Sequence, residues 1–303
     1  MVLRSLEALA RVQRILLTML LYRYFKSHAL DALRDQRLRV SKVSSFNDPF
    51  ECMYAATGNM TEEKAARYYA DRCEDPNFRD EALSAAFPNL IIPENAKRQF
   101  LNDRRGQVAK ELVEKFEMLK TASAAERESI IDATLRVACF SAEDADPGDE
   151  ILMWSHYSNS NRGVRVGLEM PVHTARFKIV PIEYQRGRVE YDMSENAFDS
   201  VIQDALKRST RTKSAAWAYE REYRLMTTPR QCVVDKLGDG TVGEFVPIET
   251  TWVRRVDFGT RIDEDEKQGI LSLAAQRYPH VECFQAKYHA TDYSLEYERC
   301  DPK

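Results

Sequence analysis

Hydrophobic residues alternate with polar ones near both ends of the chain and recur at helical spacing in its middle, so strands are expected outside and helices within. The run Met19 to Phe25, Met-Leu-Leu-Tyr-Arg-Tyr-Phe, has the apolar and aromatic content of a strand and carries Arg23 between two tyrosines. A short helix from His28 to Asp35 and a second strand from Arg37 to Val43 are expected next. Ser44-Ser-Phe-Asn-Asp-Pro-Phe-Glu51 ends that strand in a turn. Pro49 drives its predecessor away from helical angles, and Asn47 and Asp48 bond back to local backbone. Asp48 and Glu51 serve equally well there as helix caps.

From Thr61 onward the rhythm is helical, with helices expected at 61–74, 94–122 and 124–135. Thr61-Glu-Glu-Lys reads as a helix start, and Leu112, Phe116 and Leu119 share a helical face. Strand character returns at 135–141, followed by a polar loop at 142–150 with Pro147-Gly148 as its turn, then a helix at 151–157. Further strands are expected at 163–169, 177–184, 243–248, 251–258, 281–287 and 293–297. Helices are expected within 188–216 and at 263–278, the latter with acidic residues at its positive N-terminal end. Trp217-Ala-Tyr-Glu-Arg-Glu-Tyr-Arg-Leu225 reads as a strand with Glu220, Glu222 and Arg224 on one face and Tyr219, Arg221, Tyr223 and Leu225 on the other. Such a row of charge is a solvated surface or one wall of a polar site. The pattern implies one α+β domain over residues 1–303, a mixed or antiparallel β-core with flanking helices and a helical insertion at 61–134.

Composition narrows the classes. A chain of 303 residues that is 44% apolar and 30% charged can bury a sizeable core. Its net charge of -4 gives no general attraction for nucleic acid or anionic membrane, which leaves a nucleic-acid partner without support. The six cysteines include no C-x-x-C pair and the five histidines do not cluster with them, so zinc spacing is absent and a reduced, cytoplasmic protein is expected. The apolar run Ile15 to Leu21 is too short to span a bilayer and lacks a small-residue cleavage site, so no membrane association is expected and it reads as a helix feeding a buried strand.

Four patches carry the candidate chemistry: Tyr22-Arg-Tyr24, Phe46-Asn-Asp-Pro-Phe-Glu51, Phe140-Ser141 with Met153-Trp-Ser-His-Tyr157, and Trp217 to Leu225. Together they resemble a bacterial family filed as domain of unknown function twenty-nine seventy-one, with a Leu-Tyr-x-Tyr start, a Phe-Asn-Asp-Pro-Phe-Glu turn, a Met-Trp-x-His-Tyr helix and a Tyr-Glu-x-Glu-Tyr-Arg strand. The resemblance covers about Leu21 to Glu298 and implies mobile or defence-like bacterial settings, including phage defence or toxins.

The order of the patches is also similar to that of ADP-ribosyltransferases of the Arg, Ser, Glu-x-Glu type, with Arg23, Ser141 and Glu220-x-Glu222 in that order. That resemblance implies an ADP-ribosyltransferase-like fold and NAD as substrate, with transfer to a macromolecule or hydrolysis as the reaction. It casts Glu222 as the carboxylate that stabilises the oxocarbenium-like charge and Glu220 as the base on the acceptor. Arg23 would bind a pyrophosphate or ribose oxygen, with Tyr22 beside it, and Ser141 would hydrogen-bond the ribose or support Glu222. Trp154 and Tyr157 would stack on the nicotinamide or fill the core, the core being favoured, and His156 would be a polar partner between them. Asn47, Asp48, Glu51 and Arg224 would support the site. The chain departs from the pattern after Ser141, where Ala142-Glu143 replaces a second hydroxyl residue.

Two other readings use the same residues. In one, Arg23, Asp48, Glu51, His156, Glu222 and Arg224 form an internal polar network in a non-catalytic ligand-sensing or interaction module. In the other, Asp48, Glu51, Glu220 and Glu222 hold magnesium in a nuclease or hydrolase. The arginines in these patches favour an anionic ligand over a cation, so no metal is expected.

Overall fold

The structure is a computed structural model that describes residues 18–48, 50–52, 54–87, 92–122, 124–142, 146–192 and 208–300. The first half of the chain forms β1 (Thr18–Phe25), α1 (Ala29–Arg34), β2 (Arg37–Val40), β3 (Tyr54–Thr57), α2 (Glu62–Cys73), α3 (Pro76–Ala86), α4 (Glu94–Asp103), α5 (Arg105–Thr121), α6 (Ala124–Thr134), β4 (Arg136–Ala142) and α7 (Pro147–Tyr157). The second half forms β5 (Val164–Pro171), β6 (Lys178–Pro181), β7 (Glu183–Gln185), β8 (Val189–Asp192), β9 (Thr212–Ser214), β10 (Glu222–Thr227), β11 (Val233–Lys236), β12 (Val242–Pro247), β13 (Val253–Phe258), α8 (Glu264–Arg277), β14 (Glu282–Tyr288) and β15 (Leu295–Arg299). The class is α+β, as the alternating and helical rhythms imply. The described residues divide into two compact units, one within 18–51, 128–186 and 213–300, the other within 52–127, 187–192 and 208–212.

The first unit is organised on an eight-stranded sheet in the order β15-β14-β13-β5-β1-β4-β10-β6. Neighbours run antiparallel except β13 and β14, which are parallel and joined through α8. Asp263 starts α8 by accepting from the backbone N–H groups of Asp265 and Glu266, and Ile270, Leu271 and Ala274 bury its inner face. One face of the sheet carries Leu21, Val166, Leu168, Leu225, Val256 and Phe258, all essentially inaccessible, and forms the main core. A smaller sheet, β11-β12-β2, belongs to the same unit. In the second unit β3 pairs with β8 in parallel, and Met60, Ala65, Ala109, Phe116 and Val189 form a separate small core. Thr61 caps α2, and Asp75 caps α3 ahead of Pro76.

The central strands do not pair evenly. β1 pairs with β5 at all eight residues from Thr18 to Phe25, and β4 pairs with β10 from Arg136 to Ser141. Between β1 and β4 the register holds only Leu21 opposite Ala142 and Tyr22 opposite Ser141. Beyond Tyr22 the two strands part. The freed edge of β4 is taken by the chain leaving β2, because Ser41 and Val137 exchange both backbone hydrogen bonds, at 2.8 and 3.0 Å. A gap remains in the middle of the sheet.

Several sequence expectations are corrected. Trp217 to Arg221 is not strand: residues Ala215–Glu220 form a 3-10 turn that starts where Ser214 accepts from Ala216 N–H, and Arg221 takes a left-handed conformation (φ 45°) that redirects the chain into β10. Pro147-Gly148 is not a loop turn but the first turn of α7, capped by Asp146, so that helix begins earlier than expected. The stretch 94–122 is two helices, broken at Arg104, and α3, β3 and β11 were not anticipated. The expected helix within 188–216 has strands at its two ends, and its centre, like the N-terminal helix, lies outside the described residues.

Candidate functional site

A cavity of about 310 Å³ fills the gap between β1 and β4, a size suited to part of a small-molecule ligand. Its walls follow from the pairing. Tyr22 lies opposite Ser141, and Ser141 lies opposite Glu222, so these three side chains project from one face of three successive strands. Alternation assigns Arg23, the cation of β1, to the opposite face with Leu21, and it reaches the same cavity where the strands part. Its guanidinium lies over Phe140 (5.8 Å) and Phe25 (5.5 Å). One of its nitrogens, Nη2, donates to the Arg39 carbonyl at 2.7 Å, while Nη1 is buried with no hydrogen-bond partner. Burial presses the Arg23 pKa down to about 10, so it remains a cation at neutral pH.

The acidic wall is built around Lys213. Its Nζ donates to Glu220 Oε2 at 2.6 Å and to Glu222 Oε2 at 3.2 Å, and all three side chains are buried. Burial works against the ammonium charge, but Glu222 and Glu220 outweigh it and hold its pKa above the ordinary value. The hydroxyl of Tyr157, at the end of α7, donates to Glu220 Oε1 at 2.5 Å and accepts from Asn47 Nδ2 at 3.3 Å. Burial, with Glu220 alongside, raises the pKa of that phenol. Glu222 stands at the first position of β10, where its backbone N–H donates to the Tyr184 hydroxyl at 2.7 Å. Burial pushes the Glu222 carboxyl up, and Lys213 opposes the shift. Cys139, opposite Arg224 on β4 and exposed, also lines the cavity.

Behind this wall Arg224 is fully buried. Its Nε donates to Glu222 Oε1 at 2.7 Å, its Nη2 to Glu222 Oε2 at 3.2 Å, and it forms a second ion pair with Glu51. Phe46 lies 5.2 Å from the guanidinium carbon. Burial lowers the Arg224 pKa to about 9 and Asp48 opposes that, so the group stays charged at pH 7. Asp48 Oδ1 accepts from Phe50 N–H at 2.9 Å, whereas Oδ2 is buried without a partner.

Of the residues singled out in the sequence, Tyr22, Arg23, Asn47, Glu51, Ser141, Tyr157, Glu220 and Glu222 line this one cavity. Asp48 and Arg224 support it from behind. Trp154 and His156 do not line it. Trp154 is fully buried against Tyr24, rings edge to face at 5.3 Å, with its N–H donated to the Tyr297 hydroxyl at 3.0 Å. His156 Nδ1 pairs with the Tyr219 hydroxyl at 3.0 Å on the exposed side of α7. Trp154 packs in the core and His156 does not, because α7 turns Met153 and Trp154 inward and leaves His156 outside. Lys213, Lys26 and Cys139 were not singled out as site residues by sequence reasoning. For Lys213 the nearest signal was Ser214, a helix-capping residue just ahead of Trp217, hidden inside an expected helix.

Chemically, the site joins a carboxylate pair bridged by an ammonium group to a guanidinium with an unused donor across a gap. The position between Glu220 and Glu222 is taken by Lys213 Nζ, a protein cation. The fold and site thus define an α+β protein with a cavity, lined by charged and aromatic residues, at a split in its central sheet. Residues 153–225, from α7 through β10, match the family model described as Protein of unknown function (DUF2971), as the motif resemblance implied for that segment. No curated protein and no solved structure matches the chain.

Proposed function

We propose that the cavity between β1 and β4 binds NAD and that the chain is an ADP-ribosyltransferase-like enzyme, transferring ADP-ribose to a macromolecule or to water. The observation that carries this reading is the strand order: Arg23, Ser141 and Glu222 lie on β1, β4 and β10, three adjacent strands, and line one cavity. In this reaction the nicotinamide leaves with the electron pair of its glycosidic bond, and positive charge develops at the ribose carbon. Glu222, held at its post by Arg224 and Lys213, is the carboxylate that would face that charge. Glu220 would take the proton of the acceptor hydroxyl, or of water, as the new bond to the ribose carbon forms, and Tyr157 fixes its orientation. The reading places the chain in the bacterial cytoplasm, where NAD is present, in a defence-like or toxin setting.

The test is incubation of the protein with labelled NAD, with release of nicotinamide and label on macromolecules as readouts. Glu222→Gln should lower nicotinamide release by about a hundredfold or more; unchanged turnover would remove Glu222 from the role. A second reading rests on a separate observation, that both oxygens of Glu222 are engaged by Arg224 and Lys213. A closed network of this kind suits a non-catalytic ligand-sensing module. That reading expects ADP-ribose or NAD to raise the melting temperature with no nicotinamide released.

A further inference from the structure

The cavity at the split shares Arg23, Tyr24, Lys26, Ser41 and Tyr157 with a second cavity of about 510 Å³. The second cavity extends over α1 and β2, and its lining is rich in cations: Arg23, Lys26, Arg37 and Arg39, with His28 beside them, against the single carboxylate Asp31 among its described lining residues. Two of these groups are already committed. His28 sits 3.2 Å from Asp31 and 3.6 Å from Asp239, and Arg37 is paired with Asp35 at 3.0 Å and with Asp235. Asp31 itself is held by Arg34 at 2.6 Å. Arg23, Lys26 and Arg39 are different, because among the described residues none of them has a carboxylate partner.

Two features point from that imbalance to a ligand. Arg23 Nη1 is buried with its donors unused, which is costly unless something accepts from it. Arg39 lines the same concavity, and its backbone carbonyl takes the only hydrogen bond that the Arg23 guanidinium makes among the described residues, so two guanidinium groups share one cavity wall. We propose that the second cavity is a phosphate-binding subsite, in which Arg23 Nη1, Lys26 and Arg39 take the phosphate or diphosphate of a nucleotide whose sugar lies in the first cavity. This rests on the reading of the first cavity as a ligand site. Forked guanidinium donors match phosphate oxygens, and Lys26 adds a mobile point charge at the shared wall. A small nucleotide fits better than a polymer, since the cations line a concavity while the chain as a whole carries a net charge of -4.

Titration calorimetry of the full chain with ADP-ribose, adenosine and inorganic pyrophosphate tests the subsite. Lys26 and Arg39 are exposed, so the double variant Lys26→Gln with Arg39→Gln should keep its melting temperature. ADP-ribose should bind that variant about tenfold or more weakly than wild type, adenosine should bind both alike, and pyrophosphate should compete with ADP-ribose. Equal ADP-ribose affinity in the variant overturns the subsite. So does failure of wild type to bind either phosphate compound, or tighter binding of a DNA oligonucleotide than of ADP-ribose. If ADP-ribose binds in this phosphate-dependent way but NAD is not turned over, the transferase reading falls and the subsite stands. If turnover is lost in Glu222→Gln while the double variant binds ADP-ribose normally, the subsite falls alone.

Discussion

Replacing Arg224 with methionine isolates the cation that holds the acidic wall together. Arg224 is fully buried, donates to both oxygens of Glu222 and is ion-paired to Glu51. Methionine fills much of the volume of the aliphatic stem but leaves Glu51 with no cation among the described residues and Glu222 with Lys213 alone. Removing one partner of a buried pair costs about 3–5 kcal/mol, because the remaining carboxylate keeps its desolvation penalty without compensation. At roughly 2–4 °C per kcal/mol for a unit of this size, the melting temperature should fall by about 10 °C. The loss should depend on pH, with a definite sign. Burial already pushes the Glu222 carboxyl up, and removing the cation moves it further in the same direction. A carboxyl whose folded pKa lies above its unfolded value destabilises fully above that folded pKa and is relieved as pH falls through it. Urea unfolding followed by far-ultraviolet circular dichroism at pH 8 and pH 5 should therefore show a larger deficit against wild type at pH 8. A loss below about 1 kcal/mol at pH 8, or an equal loss at both pH values, would refute the argument that Arg224 compensates buried charge.

Lys213→Met should cost about 3 kcal/mol by leaving Glu220 and Glu222 to repel one another; a double-mutant cycle with Glu222→Gln should give a coupling above about 1 kcal/mol, and additivity would show that the bridge carries no energy. Gly163→Ala should destabilise by about 3 kcal/mol or more, because its Cβ would lie 1.9 Å from the Phe25 carbonyl oxygen, a backbone atom with no room to retreat; a thermal melt within 2 °C of wild type, roughly 1 kcal/mol at most, would contradict that packing.

The strands that carry the site were legible in the sequence, and the gap between them was not. β1, β4 and β5 announce themselves through aromatic and branched residues whose neighbours alternate, a local property of each segment. The gap depends on which strand pairs with which and for how many residues, and no local pattern encodes that β1 leaves β4 after Tyr22 while Ser41 takes its place. Glu222 and Arg224 were placed on one face correctly because both lie in β10. Glu220 was placed on that face for the wrong reason: the chain turns at Arg221, a non-glycine residue at positive φ with no signature in the sequence, and Glu220 returns to Glu222 only through Lys213. The missed helix α3 did carry its signal, Asp75 followed by Pro76, an N-cap and first-turn proline.

Two arginines on the central sheet, Arg165 and Arg23, show what separates a satisfied charge from one with an unused donor. Arg165, on β5, sits among the rings of Tyr22 at 4.6 Å, Tyr297 at 4.9 Å and Trp154 at 5.7 Å, and is paired with Asp257 at 2.8 Å and with Glu150. Tyr297 in turn donates to Glu150 at 2.6 Å and accepts from Trp154, so the cluster closes on itself. A satisfied network of this kind rigidifies its surroundings and offers nothing to a ligand. It fixes Tyr22, which forms a wall of the cavity on the neighbouring strand. On the cavity side the accounting does not close: Arg23 Nη1 and Asp48 Oδ2 are both buried without partners, one lining the gap and one behind Arg224. Each such group costs about 1–3 kcal/mol in the unliganded protein. The proposed placement of a ligand at the split between β1 and β4, and not at the aromatic cage beside it, rests on that unmet donor of Arg23 at the cavity, next to a cluster whose own needs are met.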